Sequence, residues 1–489
     1  MADFSKLNGY DVKDATARNG ISEINEDIDI INSNISLNNN QRLTTVDMLR
    51  YKNSNNFHKI SFPEQMDPFF NRLTIYESYD KKKYTAYIDE GYLKNSGGST
   101  YYIDINAATD TGDGSQSNPF KTFTRMFSHT EDGDTVIVKK GIYTLSELPS
   151  SASGTPKQNI NIICEDGVVI VQGTRLTWTQ NETYSNVYQA SRTTTALCID
   201  LRKRDEKIFP KLTKKSSLVE VANSIYSYYF DSANNIVYVN LGEEVTNDKV
   251  AVTLNRNFCP FYVKPYGKNI KMYVENAIFI TGAGGTPVFR VDATEDYTAE
   301  LNCKNCMFLY GGDNGNVGAM SVGGAYTTFI NCEASFNTYG DGFAYHTEGG
   351  RYSRGIEINC VGRYNGLEST SGNLQYANNG STIHENSQII RINGEYHNNK
   401  GCNVGDTGAN AISLNYGCKA WDSEVNVEGH NRNADFGALG STAKMYLYSC
   451  FAQGKSEMNI YSGESHNVVN VSNCLYNTTG GNGTINVIE

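Results

Sequence analysis

Short apolar runs separated by polar residues recur from about residue 270 to the C-terminus. Each repeat holds two or three β-type runs with Gly, Asn and Asp between them and shows no helical pattern. One run in each repeat closes on a small residue, usually Cys and mostly preceded by Asn, at positions 277, 306, 332, 360, 394, 418, 450 and 474. These steps of 24 to 34 residues predict an array of supersecondary units, none of which can bury its apolar face alone.

The repeat predicts an all-β fold, a parallel β-helix solenoid with one coil per repeat and the Cys side chains stacked inside. A β-sandwich with coincidental Asn-Cys pairs is the alternative. Six of the 11 cysteines fall in one column of the repeat, which favours small buried residues of a reduced protein over a disulfide framework. Cys303 and Cys306 form a lone CxxC pair, which we interpret as core rather than as a zinc site.

A different period occupies the first forty residues. Five isoleucines are spaced alternately by three and four positions, at Ile21, Ile24, Ile28, Ile31 and Ile35. Isoleucine at both core positions of a heptad favours oligomers above the dimer, trimers especially. The seam therefore predicts a short trimeric coiled coil within residues 1–40, and an amphipathic helix on a globular body is the alternative.

The rest of the chain divides by composition. Residues 41–99 are Tyr-rich and end in a Ser/Gly linker, so we expect a neck or small domain there. Residues 100–489 are predicted to form the β-helix, with an inserted hairpin region at about 174–255. A short amphipathic helix within residues 121–129 is expected to cover the open end of the first coil.

Charge and hydropathy exclude several classes of partner. The net charge of −11 argues against a nucleic-acid partner and against attachment to an anionic surface. We find no signal peptide and no apolar run of about 18 residues, so the sequence predicts neither a membrane span nor secretion by that route. The 33 tyrosines supply rings of the kind that stack on sugars.

One predicted row of acids could carry chemistry. In stacked coils, residues far apart in sequence become neighbours about 4.8 Å apart. Asp313, Asp341 and Glu368 follow the Cys column at similar distances and are expected at one corner. Two carboxylates held close have pKa values that separate, which yields an acid and a base. A purely structural corner is the equal alternative.

A second predicted row contains histidines. His346, His384 and Asp406 fall in similar places of three successive repeats, and Glu348 lies beside the first. A His next to an acid can act as general acid or base, and it can also bind metal. The sequence thus predicts no cofactor and leaves a divalent metal open. Five tyrosines flank the rows as candidate sugar-stacking residues: Tyr339, Tyr345, Tyr364, Tyr376 and Tyr396.

Three stretches resemble known families. Residues 7–18 resemble the N-terminal segments of tail fibres and baseplate proteins from phages of Gram-positive bacteria. Residues 379–423 look like a segment of tail-spike β-helices. A third run is similar to the first coil of pectate-lyase-like right-handed β-helices, above all phage tail-spike depolymerases, and consists of Asp113-Gly114, Asn118-Pro119-Phe120, Gly133-Asp134-Thr135-Val136 and Gly141-Ile142-Tyr143.

The resemblance implies a homotrimeric tail-spike or receptor-binding protein of the virion, made in the host cytoplasm and joined to tail or baseplate proteins through its N-terminus. It implies an enzyme that cleaves a bacterial surface polymer by hydrolysis, with lyase chemistry left open. The polymer would be a capsular polysaccharide or exopolysaccharide, or wall teichoic acid. A non-catalytic adhesin for the same polymer is the alternative. Candidate catalytic residues are Asp341, His346, His384 and Asp406, followed by Glu368 and Glu348.

Overall fold

The computed structural model describes residues 57–488 apart from residues 150–157, 196, 203–208, 255–258, 260, 283–288, 312–319, 339, 367–377 and 425–432. The predicted attachment segment and coiled coil of residues 1–40 lie outside the described residues. The chain divides into two compact units, residues 1–58 and residues 59–489. Strand β1 (Phe57–Lys59) lies at the boundary, and all other elements belong to the second unit.

Three parallel sheets form most of the second unit, and from residue 270 onward the chain visits them in the fixed order A, B, C. We call one such passage a coil. Sheet A has 12 strands, sheet B has ten and sheet C has nine, and in each sheet a strand pairs with the equivalent strand of the next coil. Glu357 in sheet A, for example, lies opposite Phe329 of the preceding coil and Arg391 of the following one. The predicted all-β class with parallel sheets is confirmed.

Sheet A comprises β4 (Thr100–Ile103), β5 (Thr135–Val138), β7 (Asn161–Cys164), β17 (Ile270–Glu275), β20 (Ala299–Lys304), β23 (Tyr326–Ile330), β26 (Arg354–Ile358), β29 (Gln388–Ile392), β32 (Ile412–Tyr416), β35 (Lys444–Tyr448), β38 (Val468–Ser472) and β41 (Thr484–Val487). Sheet B comprises β6 (Ile142–Tyr143), β8 (Val169–Val171), β18 (Ile278–Ile280), β21 (Met307–Leu309), β24 (Glu333–Ser335), β27 (Val361–Arg363), β30 (Glu395–His397), β33 (Lys419–Trp421), β36 (Phe451–Ala452) and β39 (Leu475–Tyr476). Sheet C comprises β16 (Phe261–Val263), β19 (Phe289–Asp292), β22 (Met320–Gly323), β25 (Phe343–His346), β28 (Ser381–Ile383), β31 (Val404–Asp406), β34 (Ala434–Ala438), β37 (Met458–Ser462) and β40 (Thr479–Gly480).

The turn from sheet A to sheet B explains the repeated Asn and small residue. Its first residue has a positive φ of 49° to 62° from Asn276 to Asn473, a left-handed conformation that Asn and Gly adopt most readily. Consecutive Asn side chains also bond from coil to coil: Asn331 Nδ2 donates to Asn305 Oδ1 at 3.1 Å, and Asn359 Nδ2 donates to Asn331 Oδ1 at 3.0 Å. The turn residue thus sets the chain direction and ties neighbouring coils together.

The small residue of the same turn points into the core. Cys306, Cys332, Cys360, Cys418 and Cys450 are buried, which confirms the predicted column, while Cys474 in the last coil is partly exposed. The thiols donate to backbone carbonyls, as from Cys332 Sγ to the Cys303 oxygen at 3.5 Å. All 11 cysteines are free thiols.

Residues 59–95, part of the segment 41–99 predicted as a neck or small domain, pack against the outer face of sheet A. They contain a 3₁₀ helix (Pro68–Arg72), the antiparallel hairpin of β2 (Leu73–Ser78) and β3 (Tyr84–Ile88), and helix α1 (Glu90–Leu93). Phe70 and Ile75 join Ile356 and Ile390 of sheet A in one apolar cluster. The segment therefore belongs to the same compact unit as the coils.

Two further parts flank the coils. Helix α2 (Phe123–Phe127) buries Phe123 and Met126, as expected of the helix predicted to cover the first coil. The inserted region contains β9 (Thr179–Gln180), β10 (Tyr188–Ser191), β11 (Cys198–Asp200), β12 (Thr213–Lys214), α3 (Leu218–Ala222), β13 (Ser227–Asp231), β14 (Ile236–Asn240) and β15 (Val250–Val252). The predicted hairpin is β13 paired antiparallel with β14. Among the described residues, the helices are all too short or too polar to cross a bilayer.

A fully buried polar cluster lies inside the coils. Glu357 accepts hydrogen bonds from Tyr345 Oη at 2.9 Å, from Ser381 Oγ at 2.8 Å and from Tyr396 Oη at 2.5 Å. Arg391 donates to Ser381 Oγ at 2.8 Å, and its Nη1 lies 3.5 Å from Asp406 Oδ1. The buried guanidinium therefore pairs with Asp406 and reaches Glu357 through the Ser381 hydroxyl, while two tyrosine hydroxyls supply further donors to Glu357.

Arg391→Met should destabilise the fold by about 3–5 kcal/mol, because it leaves two buried carboxylates without their cation. The matched control is Lys419→Met, which breaks the solvent-exposed pair with Glu395 and should cost about 1 kcal/mol or less. Urea denaturation followed by tyrosine fluorescence measures both losses. Equal losses for the two variants would contradict the role given to the buried cluster.

Candidate functional site

The candidate site lies on the outer face of sheet C, where its strands end. Side chains of a strand alternate between the two faces of a sheet. Asp292, Gly323 and His346 share one register position in three successive coils. Three further residues lie at the same level in other coils, because each directly follows the last paired residue of its strand: Lys264, His384 and Thr407. We call Lys264, Asp292, Gly323, His346, His384 and Thr407 the outer row.

Two of the predicted histidines meet in this row. The rings of His346 and His384 stack with their centroids 4.2 Å apart and an interplanar angle of 28°. His384 Nδ1 lies 3.2 Å from Thr407 Oγ1, while its Nε2 is buried without a hydrogen-bond partner among the described residues. Burial, helped by the nearby His346, lowers the pKa of His384 to about 3. His384 is therefore neutral at ordinary pH and presents a hydrogen-bonding nitrogen rather than a charge.

A buried carboxylate occupies the outer row three coils before His384. Asp292 Oδ2 accepts from Tyr262 Oη at 2.8 Å and from Arg290 Nε at 2.6 Å. Its Oδ1 is buried and has no hydrogen-bond partner among the described residues. Burial and the Asp292 charge raise the pKa of Tyr262, which keeps that hydroxyl a donor. One oxygen of Asp292 is thus held in place, and the other is left without a hydrogen-bond partner among the described residues.

A second carboxylate stands beside the first. Glu348 is exposed and begins a tight turn in which its backbone N–H donates to the Arg351 oxygen at 3.1 Å. A Cβ placed on Gly323 would stand 2.2 Å from Asp292 Oδ1 and 3.4 Å from Glu348 Cβ. Only glycine therefore fits between these two acidic side chains. A carboxylate pair next to two imidazoles can supply both an acid and a base.

Asp406 does not join the histidines, which corrects the predicted three-residue row. It lies opposite Ile383, the residue before His384, and so its side chain points inward. Asp406 is fully buried beside Arg391, and Ser413 Oγ donates to its Oδ2 at 2.5 Å. Burial raises its pKa, while Arg391 opposes that shift. Thr407 takes the place in the row that the sequence had predicted for Asp406.

Asp341 lies away from the histidines as well. It precedes β25, whereas His346 ends this four-residue strand, a separation of roughly 10 Å or more. Its Oδ1 accepts from the Asn379 backbone N–H at 2.6 Å, and Asn337 Nδ2 donates to its carbonyl at 2.6 Å. Burial raises the pKa of Asp341 to about 7. The predicted partners Asp313 and Glu368 lie outside the described residues.

The predicted sugar-stacking tyrosines are scattered. Tyr345 and Tyr396 are buried inside the coils and donate to Glu357, which corrects their predicted exposure to a ligand. Tyr364 is partly exposed and stacks on Phe336 at the end of sheet B, with centroids 5.2 Å apart. Tyr339 and Tyr376 lie outside the described residues. Exposed rings in the loops that follow strands of sheet C include Tyr266, 74% accessible, and Tyr352, 39% accessible, and the sequence singled out neither.

Two other features of the structure bear on the site. In the part of the chain that the structure describes, no three His, Cys, Asp or Glu side chains are grouped to hold a metal ion. A cavity of about 410 Å³ lies between the coils and the inserted region, lined by residues that include Lys140, Asp166, Phe209 and Asp248. None of the predicted site residues lines that cavity, so the outer row and the cavity are separate features of the structure.

Comparison with known proteins leaves the family unassigned. No family model and no curated protein matches this chain. Among solved structures, the complex of XylC with xylose matches at 13% identity over 79% of this chain and 69% of that chain, with a TM-score of 0.42. Pectate lyase Pel9A matches at 12% identity over 80% and 79%, with a TM-score of 0.39. The tailspike protein gp49 from Pseudomonas phage LKA1 matches at 12% identity over 75% and 71%, with a TM-score of 0.27. With TM-scores below 0.5, these likenesses assign neither a family nor an activity to the chain.

Asp341→Asn should change how stability depends on pH. The carboxyl pKa rises from 3.8 to about 7 on folding, so its stabilising contribution is complete below pH 3.8 and is lost as the pH rises through about 7. Between about pH 5 and pH 8 the melting temperature of the wild type should therefore fall by more than that of the variant. Thermal melting at the two pH values tests this, with Asp113→Asn, an exposed loop residue, as the control. Parallel losses in wild type and Asp341→Asn would contradict it.

Proposed function

We propose that this protein is a phage tail-spike enzyme that binds and hydrolyses a bacterial surface polymer at the outer row. The observation that carries the proposal is the placement of Asp292 and Glu348 on either side of Gly323, next to the stacked His346 and His384. Hydrolysis of a glycosidic bond generally uses two carboxyl groups, one as acid and one as base or nucleophile. The sequence resemblance to tail-spike depolymerases agrees with this chemistry.

The two carboxylates have different surroundings, which suits different roles. Asp292 is paired with Arg290 and accepts from Tyr262, so it acts as the base or nucleophile with its second oxygen. Glu348 is exposed and makes no ion pair with the described residues, and we assign to it the other role, proton transfer to the leaving oxygen. The neutral ring of His384 and the ring of His346 form the adjoining wall, where they meet hydroxyl groups of the polymer.

The remaining parts of the proposal rest on the sequence. A right-handed β-helix solenoid and a homotrimer held by the N-terminal coiled coil are supported by the coil repeat and by the isoleucine seam. Attachment to a phage tail or baseplate is supported by the resemblance of residues 7–18. The same resemblance favours a Gram-positive host and a polysaccharide or teichoic acid as the polymer.

Incubation of the purified protein with surface polymers of candidate Gram-positive hosts tests the activity. Mass spectrometry should detect repeat units with a new reducing end. Glycerol- or ribitol-phosphate units would instead identify a teichoic acid hydrolase, and unsaturated ends a lyase. Binding without any product would favour the non-catalytic adhesin.

Asp292→Asn and Glu348→Gln should each lower the cleavage rate by about 10²–10⁴-fold, because each removes a group that transfers a proton or attacks. Asp341→Asn and Glu395→Gln are the matched controls, a buried aspartate outside the row and a surface glutamate on sheet B. Both controls should keep the wild-type cleavage rate. An inactive Asp341→Asn together with an active Asp292→Asn would place the chemistry elsewhere.

A further inference from the structure

Three cationic side chains lie near the proposed acid pair, and only one of them is ion-paired with it. Arg290 is committed to Asp292, with 2.6 Å between Nε and Oδ2. Lys264 is exposed one coil before Asp292 and makes no ion pair with any described residue. Arg351, at the other end of the Glu348 turn, also lacks an ion pair within the described ranges, and its Nε is buried without a hydrogen-bond partner there. Five other arginines in the described part of the chain are ion-paired: Arg72, Arg202, Arg354, Arg363 and Arg391.

The position of Arg351 is well defined. Its backbone N–H donates to the Glu348 oxygen at 3.0 Å. A Cβ on Gly324 would stand 2.8 Å from Arg351 Cβ, so the stem packs closely on that glycine. The guanidinium lies over Gly349, where a Cβ would stand 2.9 Å from Nη2 and 3.3 Å from Nη1. Gly349 has a φ of 54°, which favours glycine at this place in the turn.

We infer that the polymer carries an anionic group, a carboxylate or a phosphate, and that Arg351 binds it beside the outer row. This inference rests on the proposed function and names the class of polymer. The planar guanidinium matches two oxygens of a carboxylate or phosphate at once, and its fixed geometry lowers the entropy lost on binding. Lys264 adds a second positive charge on the other side of Asp292. A neutral polymer would leave both cations without a counter-charge.

The two sources of the anionic group are a uronic acid of a polysaccharide and a phosphodiester of a teichoic acid. Both groups offer the paired oxygens that a guanidinium recognises, so Arg351 is expected to bind either of them. Their small analogues differ in the sugar or polyol part. Glucuronate and glycerol 3-phosphate therefore serve as separate probes, and glucose serves as the neutral reference.

Saturation-transfer NMR with the full-length protein measures binding of the three probes. The wild type should bind glucuronate or glycerol 3-phosphate about tenfold more tightly than glucose, and Arg351→Gln should lose that preference. The preferred anion indicates an acidic polysaccharide or a polyol-phosphate polymer. The matched control is Arg125→Gln on α2, since Arg125 is also partly buried with an unbonded Nε and no ion pair in the described part of the chain. This control should bind all three probes as the wild type does.

Equal binding of glucose and both anions by the wild type would overturn the inference, as would an anion preference that survives in Arg351→Gln. Circular dichroism and melting curves establish that the variants are folded. Asp292→Asn separates the two proposals, because it should lose cleavage and keep the anion preference. A wild type that prefers anions but cleaves no polymer would leave the anion site standing and remove the enzyme.

Discussion

Parallel pairing at constant register is the constraint on which this structure depends. Each strand of sheet A, B or C pairs with the equivalent strand of the next coil, so residues some 24 to 34 positions apart stand about 4.8 Å apart. The left-handed turn between sheets A and B keeps that register, because the same backbone bend recurs from Asn276 to Asn473. Hydrogen bonds between successive asparagines then link the coils at the bend. A shift of one residue would move every side chain to the opposite face.

That sensitivity to single positions separates the interior chemistry from the exterior chemistry. Tyr345 and Asp406 point inward into the polar cluster around Glu357 and Arg391. Their sequence neighbours His346 and Thr407 point outward into the outer row. The inward groups bond to one another and to hydroxyls, and among the described residues only Arg391 Nη2 and Asp406 Oδ1 of this cluster keep no hydrogen-bond partner. The outward groups keep unused capacity, namely Asp292 Oδ1 and His384 Nε2 among the described residues. Unused buried polar atoms on an outer face are what a ligand would satisfy.

Much of the fold could be predicted from the sequence, because the Asn and small-residue turn is a local signal with a fixed period. The buried cysteine column and the hairpin of the inserted region followed from the same kind of signal. The site was harder to predict. Counting from the cysteine column ignores loop length between sheets B and C, so it placed His346 and His384 correctly together but put Asp406 one position out. Asp292 was missed because nothing beside it in sequence marks it; its partners Tyr262 and Glu348 are 30 and 56 positions away. The signal that could have indicated Asp292 was Gly323, which lies opposite it in the next coil, since a glycine at a strand end leaves room for neighbouring side chains.

We propose that the polymer binds across the outer row, between Asp292 and His384, and is cut beside Gly323. The most direct test is a crystal structure of Asp292→Asn soaked with oligosaccharides released from a host polymer. We expect sugar density over His346 and His384, with a glycosidic or phosphodiester oxygen within hydrogen-bond distance of Glu348 and an anionic group at Arg351. Density instead along Phe336 and Tyr364 at the end of sheet B, or in the cavity beside the inserted region, with the outer row empty, would contradict it.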